Sequence, residues 1–364
     1  MNQVFGTGLT FDDLLLIPRY SKIISRSEVD ISSSLTPNIK LKIPIISSNM
    51  SDITGVKMAI TLGKLGALGV LPRFVTPEEE ANNVEKIKKE KLIAAASVGC
   101  KKGEFERAEK LVKAGVDILV LDVAHGHMEQ HIKMTKKIKA IFGKKVEIIS
   151  GNVATYQGAC DLFKAGADAL KVGIGPGSVC ITRVETGFGV PQMTAVFETV
   201  RAAHKYNKTV ICDGGMKSSG DIVKALAAGA SAVMTGCLFA GTKEAPGKVI
   251  TKKGKKYKTY NGSTSLNEKI SQLKKVGKVV NANFLNQIEG VESIVPFKGP
   301  VSKVLEKYCS NIRSGFSYCG AKNIKVLWQR AKFMQITSIS LKENGSHDVI
   351  VNYGMEKSKK ETFA

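Results

Sequence analysis

Long apolar runs and paired cysteines are both missing from this chain of 364 residues. No run approaches the roughly 20 apolar residues that a membrane-spanning helix needs. Residues 1–6 have neither the basic nor the apolar region of a signal peptide. The seven cysteines include no Cys-x-x-Cys pair, which argues against a zinc ribbon or a disulfide framework. We therefore expect a cytoplasmic protein that has no membrane partner.

Acidic and aromatic residues are also scarce. The chain holds 54 Lys and Arg against 32 Asp and Glu, for a formal net charge of +22, and aromatic side chains make up only 6%. Clustered cations neutralise nucleic-acid phosphates, but a base-stacking platform needs aromatic side chains. Most of the lysines are scattered, and the one dense cluster covers residues 252–258. The composition therefore predicts a solvated basic surface, disfavours a nucleic-acid partner and suits an anionic small-molecule substrate.

Short apolar runs alternate with segments of helical periodicity along most of the chain. Eight such runs cover residues 43–47, 67–71, 93–98, 118–122, 146–150, 169–172, 210–213 and 232–235. Several helical segments end in a glycine that leads into the next run, as at Gly115, Gly166 and Gly229, which is typical of a repeated helix-to-strand unit. The pattern predicts one (β/α)8 barrel domain over residues 1–364, with an open doubly wound sheet as the alternative.

Polar residues and glycines follow most of the predicted strands. Ser48 follows the first, Asp122 the fourth, Asn152 the fifth, Asp213 the seventh and Gly236 the eighth. Because active sites of (β/α)8 barrels lie at the carboxyl ends of the strands, these groups are expected to converge on one mouth.

A glycine-rich loop follows the sixth predicted strand, at residues 173–183, GIGPGSVCITR. Three glycines in five residues allow a tight turn whose backbone groups face a phosphate, an ion or both. Ser178 adds a hydroxyl donor, and Cys180 stands where a rigid loop presents a nucleophile. The alternative is that Cys180 is a small buried apolar residue, as lone cysteines often are.

The composition changes at residues 242–298, which are rich in Lys, Gly, Asn and Ser and have weak periodicity. A loop of this length predicts a mobile flap over the active site, with a disordered surface insertion as the alternative. Residues 1–40 are expected to form an arm with a capped turn at residues 9–18. The polar tail, residues 355–364, is expected to fray.

Several motifs, in barrel order, resemble the IMP dehydrogenase and GMP reductase family. They are the loop at 173–183, the turn at 9–18, Ser48-Asn49-Met50, Asp213-Gly214-Gly215, and residues 314–321, SGFSYCGA. The resemblance implies a (β/α)8 barrel and a homotetramer. The family's regulatory pair of CBS modules usually follows the second strand, where this chain has only residues 75–91, so the pair is expected to be absent.

The resemblance also implies roles for individual residues. Cys180 would attack C2 of a purine nucleotide monophosphate, and Thr182 would relay a proton. The nucleotide would lie among Ser48, Met50, Ser178, Asp213, Gly215, Gly236, Cys237, Tyr260 and Gly262. Asp213 would accept from its ribose hydroxyls, and Cys237 stands where the family more often has Ser or Gly. Asp122, Ala124 and Asn152 would face the nicotinamide cofactor. The carbonyls of Gly175, Gly177 and Cys180 would bind a monovalent cation, for which potassium is the candidate.

The family catalyses two reactions, and the flap bears on which one applies here. Its dehydrogenases activate water with an Arg-Tyr pair on this flap, yet residues 251–288 contain no arginine. Its reductases use the Thr with a Glu at the end of the flap, which Glu289 matches, but many of the family's bacterial dehydrogenases also carry Glu there, so the missing arginine weighs more. We therefore favour reductive deamination of GMP to IMP and ammonia by NADPH. The alternatives are oxidation of IMP to XMP by NAD, which the motif at 190–192 and the flap length favour, and a purine nucleotide-binding barrel without turnover.

Overall fold

Eight parallel strands close into a barrel in the order in which they follow one another along the chain. A computed structural model describes residues 6–275 and 286–345. The barrel strands are β1 Ile45–Ser47, β2 Leu68–Leu71, β3 Ala95–Val98, β4 Ile118–Asp122, β5 Glu147–Val153, β6 Ala169–Val172, β7 Thr209–Asp213 and β8 Ala232–Thr235. The predicted (β/α)8 barrel is confirmed, and the open sheet is excluded because β8 pairs with β1.

The strands are nearly continuous apolar runs because both of their faces are buried. Along β4, Ile118 and Val120 belong to the cluster inside the barrel, whereas Leu119 and Leu121 pack against the surrounding helices. The helices are α1 Val56–Leu65, α2 Pro77–Lys89, α3 Glu104–Lys113, α4 Glu129–Phe142, α5 Tyr156–Lys164, α6 Gln192–Tyr206, α7 Ser219–Ala227 and α8 Val301–Tyr318. The segment between β2 and β3 holds only α2, so no CBS pair interrupts the barrel there.

The N-terminal arm closes one end of the barrel. Short strands at Ser33–Ser34 and Lys40–Leu41 form a hairpin whose Leu35 and Leu41 join the apolar cluster inside the barrel. Thr209, at the start of β7, donates its hydroxyl to the carbonyl of Leu35 at 2.5 Å. The hairpin therefore covers the amino ends of the strands and leaves the carboxyl ends facing a cleft.

The flap has more regular structure than its sequence indicates. Three antiparallel strands, β9 Val249–Lys252, β10 Lys255–Thr259 and β11 Ile294–Pro296, form a small sheet, and a helix spans Leu266–Lys275. The buried Lys258 anchors this sheet, since its ammonium donates to the carbonyls of Thr242, at 3.0 Å, and Ala245. The predicted frayed tail at residues 355–364 lies outside the described residues.

Within residues 6–275 and 286–345, no helix has both the length and the apolar character required to cross a membrane. All seven cysteines lie in this part of the chain and are free thiols.

Candidate active site

The glycine loop after β6 is a tight turn that packs closely against Asp213 and Arg183. Gly173 and Gly175 have φ angles of +141° and +81°, in the region that favours glycine. A Cβ on Gly173 would lie 2.6 Å from the carbonyl oxygen of Asp213, and one on Gly175 would lie 2.5 Å from Cγ of Arg183. Arg183 in turn donates to the carbonyls of Ile174, at 3.2 Å, and Val190, at 2.6 Å. The loop therefore has little freedom to move.

Cys180, Thr182 and Glu289 form a continuous chain of polar contacts. The Sγ atom of Cys180 lies 3.2 Å from Oγ1 of Thr182, and that hydroxyl donates to Oε2 of Glu289 at 2.7 Å. Because a thiol, a hydroxyl and a carboxylate are in direct succession, a proton can pass from sulfur to carboxylate without water. Cys212 is fully buried, and its burial raises its pKa to about 12. Cys180 differs in its position, since it is half-buried and lines a cleft.

The end of the flap carries Glu289 to the catalytic loop through backbone hydrogen bonds. Ile181 N–H donates to the carbonyl of Glu289 at 2.9 Å, and Val291 N–H donates to the carbonyl of Val179 at 3.0 Å. Two glycines permit this approach, since a Cβ on Gly262 would lie 2.8 Å from Cα of Gly290. The flap and the loop thus meet as two short stretches of paired backbone.

Tyr260 covers the far side of the glycine loop. It is only 4% exposed, its hydroxyl lies 3.1 Å from Oγ of Ser178, and burial raises its pKa above the usual range. A Cβ on Gly236 would lie 2.7 Å from that hydroxyl and 3.2 Å from Sδ of Met50. Ser178, Gly236, Met50 and Tyr260 therefore surround one small volume beside the loop.

Lys171 joins two carboxylates at the bottom of the cleft, and sequence reasoning did not select it. Its Nζ lies 2.8 Å from Asp122 and 2.7 Å from Asp213. Burial alone would lower the pKa of Lys171, but the two carboxylates outweigh it and hold the pKa above its usual range. Burial alone would raise the pKa of Asp122, yet Lys171 keeps it below its usual range. The sequence did contain a sign of this ion network, because Lys171 is the one charged residue in the short and otherwise apolar run Ala169–Val172.

Two amide side chains complete this network. Asn49 donates to Oδ2 of Asp122 at 2.9 Å. Asn152 donates to Oδ2 of Asp213 at 3.0 Å and to the carbonyl of Gly173 at 2.7 Å. Groups from the ends of β1, β4, β5, β6 and β7 are thereby fixed relative to one another.

All of the residues selected from the sequence line one cleft of about 520 Å³ at the carboxyl ends of the strands. They are Ser48, Met50, Asp122, Ala124, Asn152, Gly175, Gly177, Ser178, Cys180, Thr182, Asp213, Gly215, Gly236, Cys237, Tyr260, Gly262 and Glu289. Arg73 and Lys217 also line it and give the mouth positive charge suited to an anion. The thiol of Cys237 contacts the carbonyl of Met216 at 3.4 Å.

The chain that forms this cleft is similar to known enzymes along nearly its whole length. A family model described as the IMP dehydrogenase / GMP reductase domain matches residues 8–347. An inosine-5'-monophosphate dehydrogenase of Nitrosopumilus maritimus is 35% identical over 474 aligned positions, which span 95% of this chain and 99% of the relative. A GMP reductase of Leishmania major is 34% identical, over 94% of this chain and 97% of the relative.

A solved structure has the same architecture as this chain. It is a variant GMP reductase from Trypanosoma brucei in complex with guanosine 5'-monophosphate, with a TM-score of 0.90 and 30% identity. The match covers 95% of this chain and 99% of that one. Relatives of comparable identity thus carry the names of two different enzymes.

Proposed function

Since the chain belongs to the IMP dehydrogenase / GMP reductase family, whose members are oxidoreductases acting on purine nucleotides, we propose that it reduces GMP to IMP and ammonia with NADPH. The proton relay that this reaction needs is present, because the Thr182 hydroxyl lies 2.7 Å from the Glu289 carboxylate and is continuous with Cys180. Removing an amino group from C2 requires a proton donor for the leaving nitrogen, and this relay provides one. The observation that favours this reaction over the dehydrogenase reaction is the absence of arginine from residues 251–288.

In the first step, the sulfur of Cys180 bonds to C2 of GMP. The thiol proton passes through Thr182 to Glu289 and from there to the amino group, the C2–N bond breaks, and ammonia leaves. The purine is then attached to the enzyme by a C2–S bond, with no change in oxidation state.

In the second step, C2 accepts a hydride, which a nicotinamide held beside Asp122 would supply. The C2–S bond breaks, Cys180 leaves as thiolate, and IMP is released. One proton from solvent restores the thiol, so that GMP, NADPH and one proton give IMP, NADP⁺ and ammonia.

The flap supports the reductase over the dehydrogenase. A dehydrogenase must activate water, but residues 251–288 contain no arginine. Tyr260 is buried beside Ser178, and its raised pKa makes the phenolate rare near neutral pH. A tyrosine in this state is a poor general base.

The cleft divides into groups suited to each part of the ligands. Ser178, Gly215, Gly236 and the backbone of Cys237 would hold the nucleotide phosphate, and Asp213 its ribose hydroxyls. Asp122, with Ala124 and Asn152 beside it, would face the nicotinamide ribose.

The carbonyls of Gly175, Gly177 and Cys180 are uncharged oxygen donors on one loop, which suits a hard monovalent cation such as potassium. That ion would hold the loop in place beside the nucleophile.

Oxidation of IMP with NAD remains the second candidate because several relatives are named as dehydrogenases, including one of Borreliella burgdorferi at 38% identity. The experiment is nicotinamide absorbance with the purified chain, run in parallel with GMP plus NADPH and with IMP plus NAD. NADPH consumption that depends on GMP supports the proposal. NADH formation from IMP would overturn it and would require another group to activate water.

A further inference from the structure

The flap helix Leu266–Lys275 is joined to the segment that carries Glu289 on both sides of that residue. Lys269 is 4% exposed, and its ammonium donates to the carbonyl of Gln287, two residues before Glu289. Asn267 donates its backbone N–H to Glu292 at 3.0 Å, three residues after Glu289. The helix therefore determines where this segment lies against the catalytic loop.

The buried ammonium of Lys269 is also a charge close to the proton relay. Burial lowers the pKa of Lys269, the Glu289 carboxylate opposes that effect, and the nearby Lys101 reinforces it. A neutral side chain could pack or donate in this place without the cost of burying an ammonium. One electrostatic partner that offsets this cost is the carboxylate that accepts from Thr182.

The same helix contacts the opposite wall of the cleft through the residue before Lys269. Glu268 accepts a hydrogen bond from the hydroxyl of Ser51 at 2.5 Å, and Ser51 follows Met50, which lines the cleft. Consecutive side chains thus connect the substrate side of the barrel to the Glu289 segment. The helix that carries Lys269 is therefore held by the barrel as well as by the rest of the flap.

We propose that Lys269 is a positioning residue for Glu289. Its ammonium fixes the carbonyl of Gln287 and attracts the Glu289 carboxylate, so that Glu289 faces Thr182. The inference rests on the proposed function, because only a reaction that uses Glu289 as a proton carrier would reveal it.

The test compares Lys269→Met with Lys274→Met, since Lys274 is an exposed lysine on the same helix. We expect Lys269→Met to lower kcat by about 10- to 100-fold, as the loss of a charge-assisted contact predicts. The GMP dissociation constant and the KM for NADPH should change by less than about threefold, because Lys269 does not line the cleft. Lys274→Met should leave all of these values unchanged.

A double variant separates this role from general support of the fold. If Lys269 acts through Glu289, then Lys269→Met combined with Glu289→Gln should be no slower than Glu289→Gln alone. Multiplied losses would overturn the inference, as would a folded Lys269→Met whose kcat lies within about twofold of the unaltered chain.

If Lys269→Met fails to bind GMP, Lys269→Gln takes its place, because the amide still donates to the Gln287 carbonyl without the charge. It is judged by the same limits. The variants are assayed in whichever direction the unaltered chain turns over. A failed GMP assay of that chain therefore counts against the proposed function, whereas an unaffected kcat in both variants counts against Lys269.

Discussion

Replacing Glu289 with Gln removes the proton carrier but keeps the shape of the side chain. The amide can still accept from the Thr182 hydroxyl, which now lies 2.7 Å from the carboxylate, yet it can neither take up nor deliver the proton. General acid-base groups contribute about 10²- to 10⁴-fold to rates, which corresponds to about 3–5 kcal/mol of the activation barrier. We expect kcat for GMP reduction to decrease by about 10²- to 10⁴-fold.

The assay is rapid mixing of the GMP complex with NADPH, followed by nicotinamide absorbance and by ammonia release. Because Glu289 acts before the hydride step, ammonia release should be slowed as much as NADPH oxidation. The GMP dissociation constant should stay within about threefold of the original, since the contact between Thr182 and Glu289 transfers a proton and does not bind GMP. Glu185→Gln is the matched control, as Glu185 is exposed and lies in the same short helix as Thr182. A kcat lowered by less than about threefold would remove Glu289 from the relay.

Three further perturbations test other parts of the structure. Cys180→Ala should abolish turnover and leave GMP binding measurable by calorimetry, and any residual turnover would contradict a covalent intermediate. Lys171→Met leaves the half-buried Asp122 and Asp213 without their cation and should lower the free energy of unfolding by about 3–5 kcal/mol, measured by denaturant titration. A loss below about 1 kcal/mol would contradict the ion network. Burial lowers the pKa of His131 from 6.5 to about 4, so the native state binds fewer protons than the unfolded chain between these values, and stability present above pH 6.5 is lost as the pH falls. The loss should approach about 3 kcal/mol by pH 4 and be absent from His131→Gln; identical pH profiles would refute it.

The barrel was predictable because its signal is local. Each strand is a short apolar run, and glycines at 115, 166 and 229 take positive φ angles after their helices, as capping predicts. The position of the cleft was predictable once the strands were recognised, since parallel strands bring their carboxyl ends to one edge. A residue at the end of a recognised strand could therefore be assigned to the mouth without knowledge of its contacts.

The flap and Lys171 were harder to predict because their stability comes from distant contacts. β9 is exposed along its whole length, and its apolar and polar residues do not alternate, so the pattern that marks a half-buried strand is missing. Its neighbour β10 is held by Lys258, whose partners are carbonyls of Thr242 and Ala245. Similarly, the partners of Lys171 come from β4 and β7, and its charge alone does not identify them.

The sharing of Lys171 between Asp122 and Asp213 makes the two halves of the cleft thermodynamically dependent on each other. A nucleotide that draws Asp213 toward its ribose weakens one of the two attractions on the ammonium and leaves Asp122 as its principal counterion. If Asp122 faces the nicotinamide ribose as proposed, the affinity for the dinucleotide then changes, and linkage requires the nucleotide's affinity to change by the same factor when the dinucleotide binds first. One lysine would in this way couple the affinities of the two substrates by the same factor, whichever of them binds first.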